Sequence, residues 1–270
     1  MNKLLKQVAA GAMISAFAVS ANAGGLPFTV DTTTDTSPGV SGALSTFIAD
    51  EINGTYVEGI NVKSATEFSA SIVLDFTGFS GIPDFISGLN IDYDMYAVID
   101  VVGSITPAGG LFELADFTGD ISVYADWDND SNLDAVGPFN PAGVTFGFDV
   151  AGNVESIIDQ GTADVLLATT TDLAGGTNVG VSSSFALFSD TLALTPAGED
   201  VFVAPRPFYN MLFSDGNISD LFTEVDFGMV TTSIQEFTAQ ADIIFVPEPS
   251  AAALLGLGLF SLGFSRRLKK

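Results

Sequence analysis

The sequence predicts an all-β protein, an antiparallel β-sandwich built as one sandwich or two, and three observations carry that expectation. Apolar and polar residues alternate in short runs through the middle of the chain, the period of a half-buried strand. Asp outnumbers Glu by 24 to 9, and Asp is the acid of turns whereas Glu is the acid of helices. No long segment shows the 3.6-residue period, and 28 Gly together with Asp punctuate the runs. The 23 Phe suit the inner faces of packed sheets.

The first element is not part of that body. Residues 1–23 have a basic start (Lys3, Lys6), an apolar stretch from Val8 to Val19 and a small-x-small end, Ala21-Asn22-Ala23. That order is a secretory signal peptide, with cleavage expected after Ala23. Read as a transmembrane anchor the run is short of the ~20 residues a span needs.

Residues 24–245 are the expected secreted domain. Residues 29–46 are rich in Thr, Ser, Gly and Asp and read as an irregular lead-in or a weak strand. Asn53-Gly54 reads as a turn before an alternating segment. Phe68–Phe76 alternates, and Ile91–Val102 opens with Ile91, Tyr93 and Met95 on one face and Asp92 and Asp94 on the other. Asp120–Asp126, Val144–Val150, Phe185–Phe188, Thr191–Thr195, Val225–Val230 and Phe237–Val246 read as further strands. Helical turns are expected near Asp84–Leu89 and Asp215–Phe222. Gly109-Gly110 and Gly175-Gly176 read as turns. The stretch from Gly137 to Pro141 is an ordinary loop or a boundary between two sandwiches.

The last element, residues 246–270, has three parts. Val246-Pro247-Glu248-Pro249-Ser250 is extended, because each proline restrains itself and its predecessor. Ala251–Phe264 is apolar and uncharged, ~21 Å long as a helix, a short transmembrane helix that flanking residues can accommodate. Arg266, Arg267, Lys269 and Lys270 close the chain and would stay cytoplasmic. Both ends therefore predict one topology, with the acidic body outside.

Charge narrows the function. Residues 24–246 hold 32 of the 33 acidic residues and only Lys63 and Arg206 as bases, a net −30. Such a surface repels nucleic acid and anionic lipid and favours cations and hydroxyl-rich polymers. Cys and His are both absent, so disulfides, thiolate or imidazole metal ligands and a Ser-His-Asp triad are excluded. Asp92 and Asp94 form the one candidate carboxylate pair for a carbohydrate-active hydrolase, and a solvent-facing strand explains them equally. No catalytic residue is assigned.

The stretch Asp126-Trp-Asp-Asn-Asp-Ser-Asn-Leu-Asp134 places Asp126, Asp128, Asp130, Asn132 and Asp134 at every second position. Oxygen ligands at that spacing wrap a hard cation, and calcium would relieve their repulsion, as would a solvated acidic turn. The stretch resembles an EF-hand-type calcium loop with Asp126 first and Asp130 fifth. It departs at Ser131, where that loop has Gly, and at Gly137, where it has a bidentate Glu, which implies a weak extracellular-type site at ~10⁻⁴–10⁻³ M. Asp116, Asp120 and Asp149 are candidates to complete a site through the fold.

The tail, with Val246, Pro247, Glu248 and Pro249 ahead of an apolar helix and a basic end, resembles the PEP-CTERM sorting signal of Gram-negative bacteria. The resemblance implies recognition by an exosortase, cleavage near the motif, and delivery to the envelope or the exopolysaccharide matrix. The competing reading is a plain tail anchor on an acidic envelope protein. Within the body, Ala49–Ile60, Leu89–Ser104 and Phe117–Asp130 are loosely similar to PEP-CTERM proteins associated with flocculation. That similarity implies cell aggregation or biofilm formation through weak polyvalent binding of exopolysaccharide or cell-surface glycan.

Overall fold

The computed structural model describes residues 26–33, 45–108, 111–127, 143–158, 164–178, 184–189, 192–206, 208, 210–215 and 234–246. In chain order these form β1 (Phe28–Asp31), β2 (Thr46–Ala49), β3 (Glu51–Ser64), β4 (Glu67–Phe79), the helical turn α1 (Asp84–Ser87), β5 (Asp94–Ala108) and β6 (Leu111–Asp126). Then follow β7 (Thr145–Phe148), β8 (Val154–Ile157), β9 (Asp164–Thr170), β10 (Leu173–Asn178), β11 (Ser184–Ser189) and β12 (Ala193–Leu194). Helix α2 (Pro196–Val201), β13 (Phe202–Ala204), β14 (Asn210–Asp215) and β15 (Gln235–Val246) complete the body.

The fold is all-β and antiparallel, as the alternation predicts. Ten strands make one sheet in the order β10-β11-β14-β15-β3-β4-β5-β6-β9-β12. Strand β10 continues the line of β9 alongside β6, so the sheet curls back on itself into a sandwich-like body. Strands before and after 137–141 share this sheet, although residues 137–141 themselves lie outside the described residues.

The inner face follows the period of two. Phe68, Ala70, Ile72, Leu74 and Phe76 of β4 meet Met95, Ala97 and Ile99 of β5 and Ile121, Val123 and Ala125 of β6 in one buried core. Apolar side chains alone line the small cavity near the core's edge, among them Ile52, Phe76, Val123 and Ile243. The outer face is covered only in part. There Val57, Val73 and Tyr96 pack under Val144 and Phe146 of the β7–β8 hairpin. Coverage on both sides explains why β4 is buried from Phe68 to Phe76 without a break. Lys63 donates to Asn153 Oδ1 at 2.7 Å, and the Val154 amide donates to Ser69 Oγ at 3.1 Å, pinning the hairpin to the sheet.

A three-stranded sheet, β13-β1-β2, closes one end of the body with aromatic rings. Phe47 lies 4.9 Å from Phe79 at the end of β4, and Phe28 sits 6.4 Å from Phe79 and 6.2 Å from Phe202.

Some local expectations change. Asn53-Gly54 is not a turn but a register shift inside β3. A Cβ on Gly54 would lie 2.7 Å from the Asp75 carbonyl oxygen, so the glycine serves close strand approach. Gly175-Gly176 lies within β10, paired with Leu187 and Ala186. The segment at 191–195 yields only the two-residue β12, because Thr195-Pro196 starts α2, where Thr195 Oγ1 accepts from the Gly198 amide. The turn at Asp84–Leu89 is present as α1. The strand at Val225–Val230 and the turn beyond Asp215 fall outside the described residues.

Candidate functional site: the carboxylate rows and the tail exit

Strands β5, β6 and β9 place acids of one sheet face in register. Asp94 pairs with Asp126, and Asp126 pairs with Asp164 of β9, so three carboxylates form one row across three strands. Asp94 and Asp126 are buried. Alternation along a solvent-facing strand therefore does not describe Asp94. Asp92 lies in the turn before β5, so the two acids do not form a pair on one strand face. Two residues along the same face, Tyr96 and Tyr124 stack with ring centroids 5.1 Å apart, and the Tyr96 hydroxyl donates to Asp164 Oδ2.

A second row lies further along. Asp100 pairs with Ser71 of β4 on one side and Asp120 of β6 on the other. Burial pushes the Asp100 carboxyl above the usual range; the Ser71 hydroxyl counters this, and the charges of Asp120, Glu155 and Asp149 add to the rise. Burial likewise raises Asp120. Asp149 goes the other way, held low chiefly by the Asn153 amide, which donates to its Oδ1 at 2.7 Å. The Ala151 amide donates to the same oxygen at 2.8 Å, closing the β7–β8 turn.

The sequence candidates thus separate. Asp120 and Asp149 gather around Asp100, a residue that alternation alone did not single out. They do not meet Asp126, which is six residues beyond Asp120 on β6, ~20 Å along the strand. Asp116 is at positive φ (54°) beside a register shift, accepting from Ser104 Oγ at 3.1 Å. Of the calcium-loop candidates only Asp126 is described; Asp128, Asp130, Asn132 and Asp134 lie outside the described residues. Among the described residues no group of three or more Asp, Glu, His or Cys is placed to hold a metal ion. The signal-cleavage residues Ala21 and Ala23 also lie outside.

Val246, the first residue of the sorting motif, is the last residue of β15 and pairs with Asn210. Strand β15 is central, flanked by β14 and β3. The tail therefore leaves the body from the middle of the large sheet. Pro247, Glu248, Pro249 and the apolar run lie outside the described residues, and among those described no helix is long and apolar enough to cross a membrane.

A family model described as the PEP-CTERM protein-sorting motif matches residues 245–267. No curated protein matches the chain, and no solved structure does. The matched segment begins where β15 ends, so the sorting signal is joined directly to a central strand of the folded body. The chain carries a PEP-CTERM protein-sorting motif, which supports an exported protein processed by an exosortase.

Proposed function

We propose that this chain is a surface or exopolysaccharide-matrix protein that promotes cell aggregation, flocculation or biofilm formation in a Gram-negative bacterium. The observation that supports this reading is the fusion of an exosortase sorting motif to a strongly acidic β-body, a net −30 over residues 24–246. Such a body suits hydroxyl-rich glycans and bridging cations, with weak individual contacts that gain strength by multiplicity. Calcium would assist through Asp126, Asp128, Asp130, Asn132 and Asp134, lowering the repulsion among these closely spaced acids. The burial of Asp94 and its separation from Asp92 lend no support to a carboxylate-pair hydrolase.

The experiment is deletion in the source bacterium, followed by complementation with the full chain or with a chain ending at Ser250. Settling rate and retention in the extracellular matrix are measured with and without a calcium chelator. The expected result is slower settling on deletion, rescue by the full chain only, and partial loss of rescue on chelation. Settling that deletion leaves unchanged would contradict the proposal.

A further inference from the structure

Four large apolar side chains face solvent at one end of the body. Phe85 is 75 % exposed, Ile91 57 % and Ile86 38 %, all in or just after α1, and Ile48 of β2 is 64 % exposed. Isolated exposed apolar residues are ordinary, whereas a group of them marks an interaction surface. The Ser45 hydroxyl donates to the Ile86 carbonyl, tying the start of β2 to α1.

The turn that presents them is firmly held. The Gly88 amide donates to the Asp84 carbonyl at 2.7 Å and the Asp92 amide to the Gly88 carbonyl at 2.8 Å. Asn90 Nδ2 donates to the Thr77 carbonyl at 3.2 Å. Leu89 and Tyr93 of the same turn are fully buried. The turn thus sorts its apolar side chains, two inward and three outward.

Register locates this end. Ile244 of β15 pairs with Glu51, Ile52 pairs with Phe79, and the Ser80 amide donates to the Glu51 carbonyl at 3.0 Å. The start of β3, the end of β4 with α1 beyond it, and the last residues of β15 share one end. The exposed apolar group therefore lies at the same end of the sheet as Val246, the last described residue before the sorting tail. From Val246 to Ser250 the extended chain reaches at most ~17 Å before the apolar run begins.

We propose that this end is a lipid-docking surface. While the tail is in the bilayer, Ile48, Phe85, Ile86 and Ile91 enter the lipid interface and hold the body with the Pro247–Pro249 peptide at the membrane surface. The inference rests on the reading that the tail is membrane-anchored before processing. A tether this short gives the patch a high effective concentration at the bilayer, so weak insertion suffices, and loss of the tail releases the body. Asp50 and Asp84 are exposed beside the patch, and Lys63 is at the far end of β3. The lipid it fits is therefore zwitterionic rather than anionic.

The test uses the full chain in phosphatidylcholine vesicles. Because the chain has no cysteine, Phe85→Cys places one environment-sensitive fluorophore at the patch. Thr66→Cys places the control at the β3–β4 turn, ~45 Å away. Protection of Arg266 and Arg267 from added trypsin reports tail insertion. The expected result is a blue shift and several-fold stronger quenching by a lipid-borne quencher at 85 than at 66, reduced by anionic lipid and lost with Ile48→Ser, Ile86→Ser and Ile91→Ser. A protected tail with equal signals at 85 and 66 overturns this inference and leaves the sorting reading intact. A digested tail overturns both. A blue shift without lipid quenching overturns lipid docking and assigns the patch to protein, the tail itself or a second copy.

Discussion

Asp94 and Asp126 stand directly opposite each other across β5 and β6, both buried, with Asp164 next in the same row. Like charges directly opposite in a sheet destabilise it by up to ~1 kcal/mol. Asp126 is both the last residue of β6 and the first of the proposed calcium-binding residues, so it links sheet stability to that proposal. Asp94→Asn is expected to raise the unfolding free energy at pH 7 by ~0.5–1 kcal/mol, measured by urea titration.

Calcium at 10 mM, about ten times the weaker limit for such loops, is expected to stabilise the chain by ~1.4 kcal/mol. The corresponding rise in Tm is about 3–5 °C. Sodium at matched ionic strength should not reproduce it, and Asp126→Asn should remove it. An equal response to both salts would assign the effect to general screening of the acidic surface.

The second row sets a pH dependence. The Asp100 carboxyl is raised by burial and by Asp120, Glu155 and Asp149, so the folded state binds its proton more tightly than the unfolded state. Its ionisation therefore opposes folding above its raised value, and that penalty fades as pH falls toward 3.8, the ordinary value. Asp149 is lowered from the same ordinary value, so its contribution is present above 3.8 and is lost as pH falls through its lowered value. Asp100→Asn is expected to stabilise the chain at pH 7 by up to ~1 kcal/mol, with the gain shrinking as pH falls toward 3.8. A gain independent of pH would contradict the electrostatic cause.

At Gly119 the backbone of β5 leaves no room for a side chain: a Cβ there would sit 1.9 Å from the Asp100 carbonyl oxygen. Gly119→Ala should therefore force the two strands apart and destabilise by ~1–3 kcal/mol, visible as a lower urea midpoint. Gly152→Ala, at φ 76° with nothing within 4 Å of a Cβ, should show backbone strain alone, ~1 kcal/mol.

Thr195 caps α2 and also donates from its hydroxyl to the Leu166 carbonyl at 2.6 Å. Thr195→Ala is expected to destabilise by ~1–2 kcal/mol, and Thr195→Ser by much less, in thermal unfolding.

These residues also show which parts of the fold a sequence exposes. The strands of the β3–β6 meander were legible because Met95, Ala97 and Ile99 alternate with Tyr96, Val98 and Asp100, and a period of two survives any register. The register itself was not legible. It is set by contacts between strands, so the meeting of Asp100 with Asp120, and of Asp94 with Asp126 and Asp164, had no local signal. Asn53-Gly54 carried a strong turn signal that tertiary packing overrode, since only a residue without Cβ fits against the Asp75 carbonyl. Helix α2 starts with a cap followed by a proline, Thr195-Pro196, but its six residues are too short for a visible helical period, and the run at 191–195 reads as a strand. The sorting tail was the most legible element, because its three parts act through composition and order along the chain rather than through the fold.

The most direct test of the account is the mass of the protein's C-terminus, purified from the extracellular fraction and envelope of the source bacterium. Val246 is paired in a central strand, so processing is expected beyond it. The account predicts a mature terminus between Pro247 and Ser250, without the apolar run. An intact Lys270 recovered in the membrane fraction would contradict it and leave a plain tail anchor.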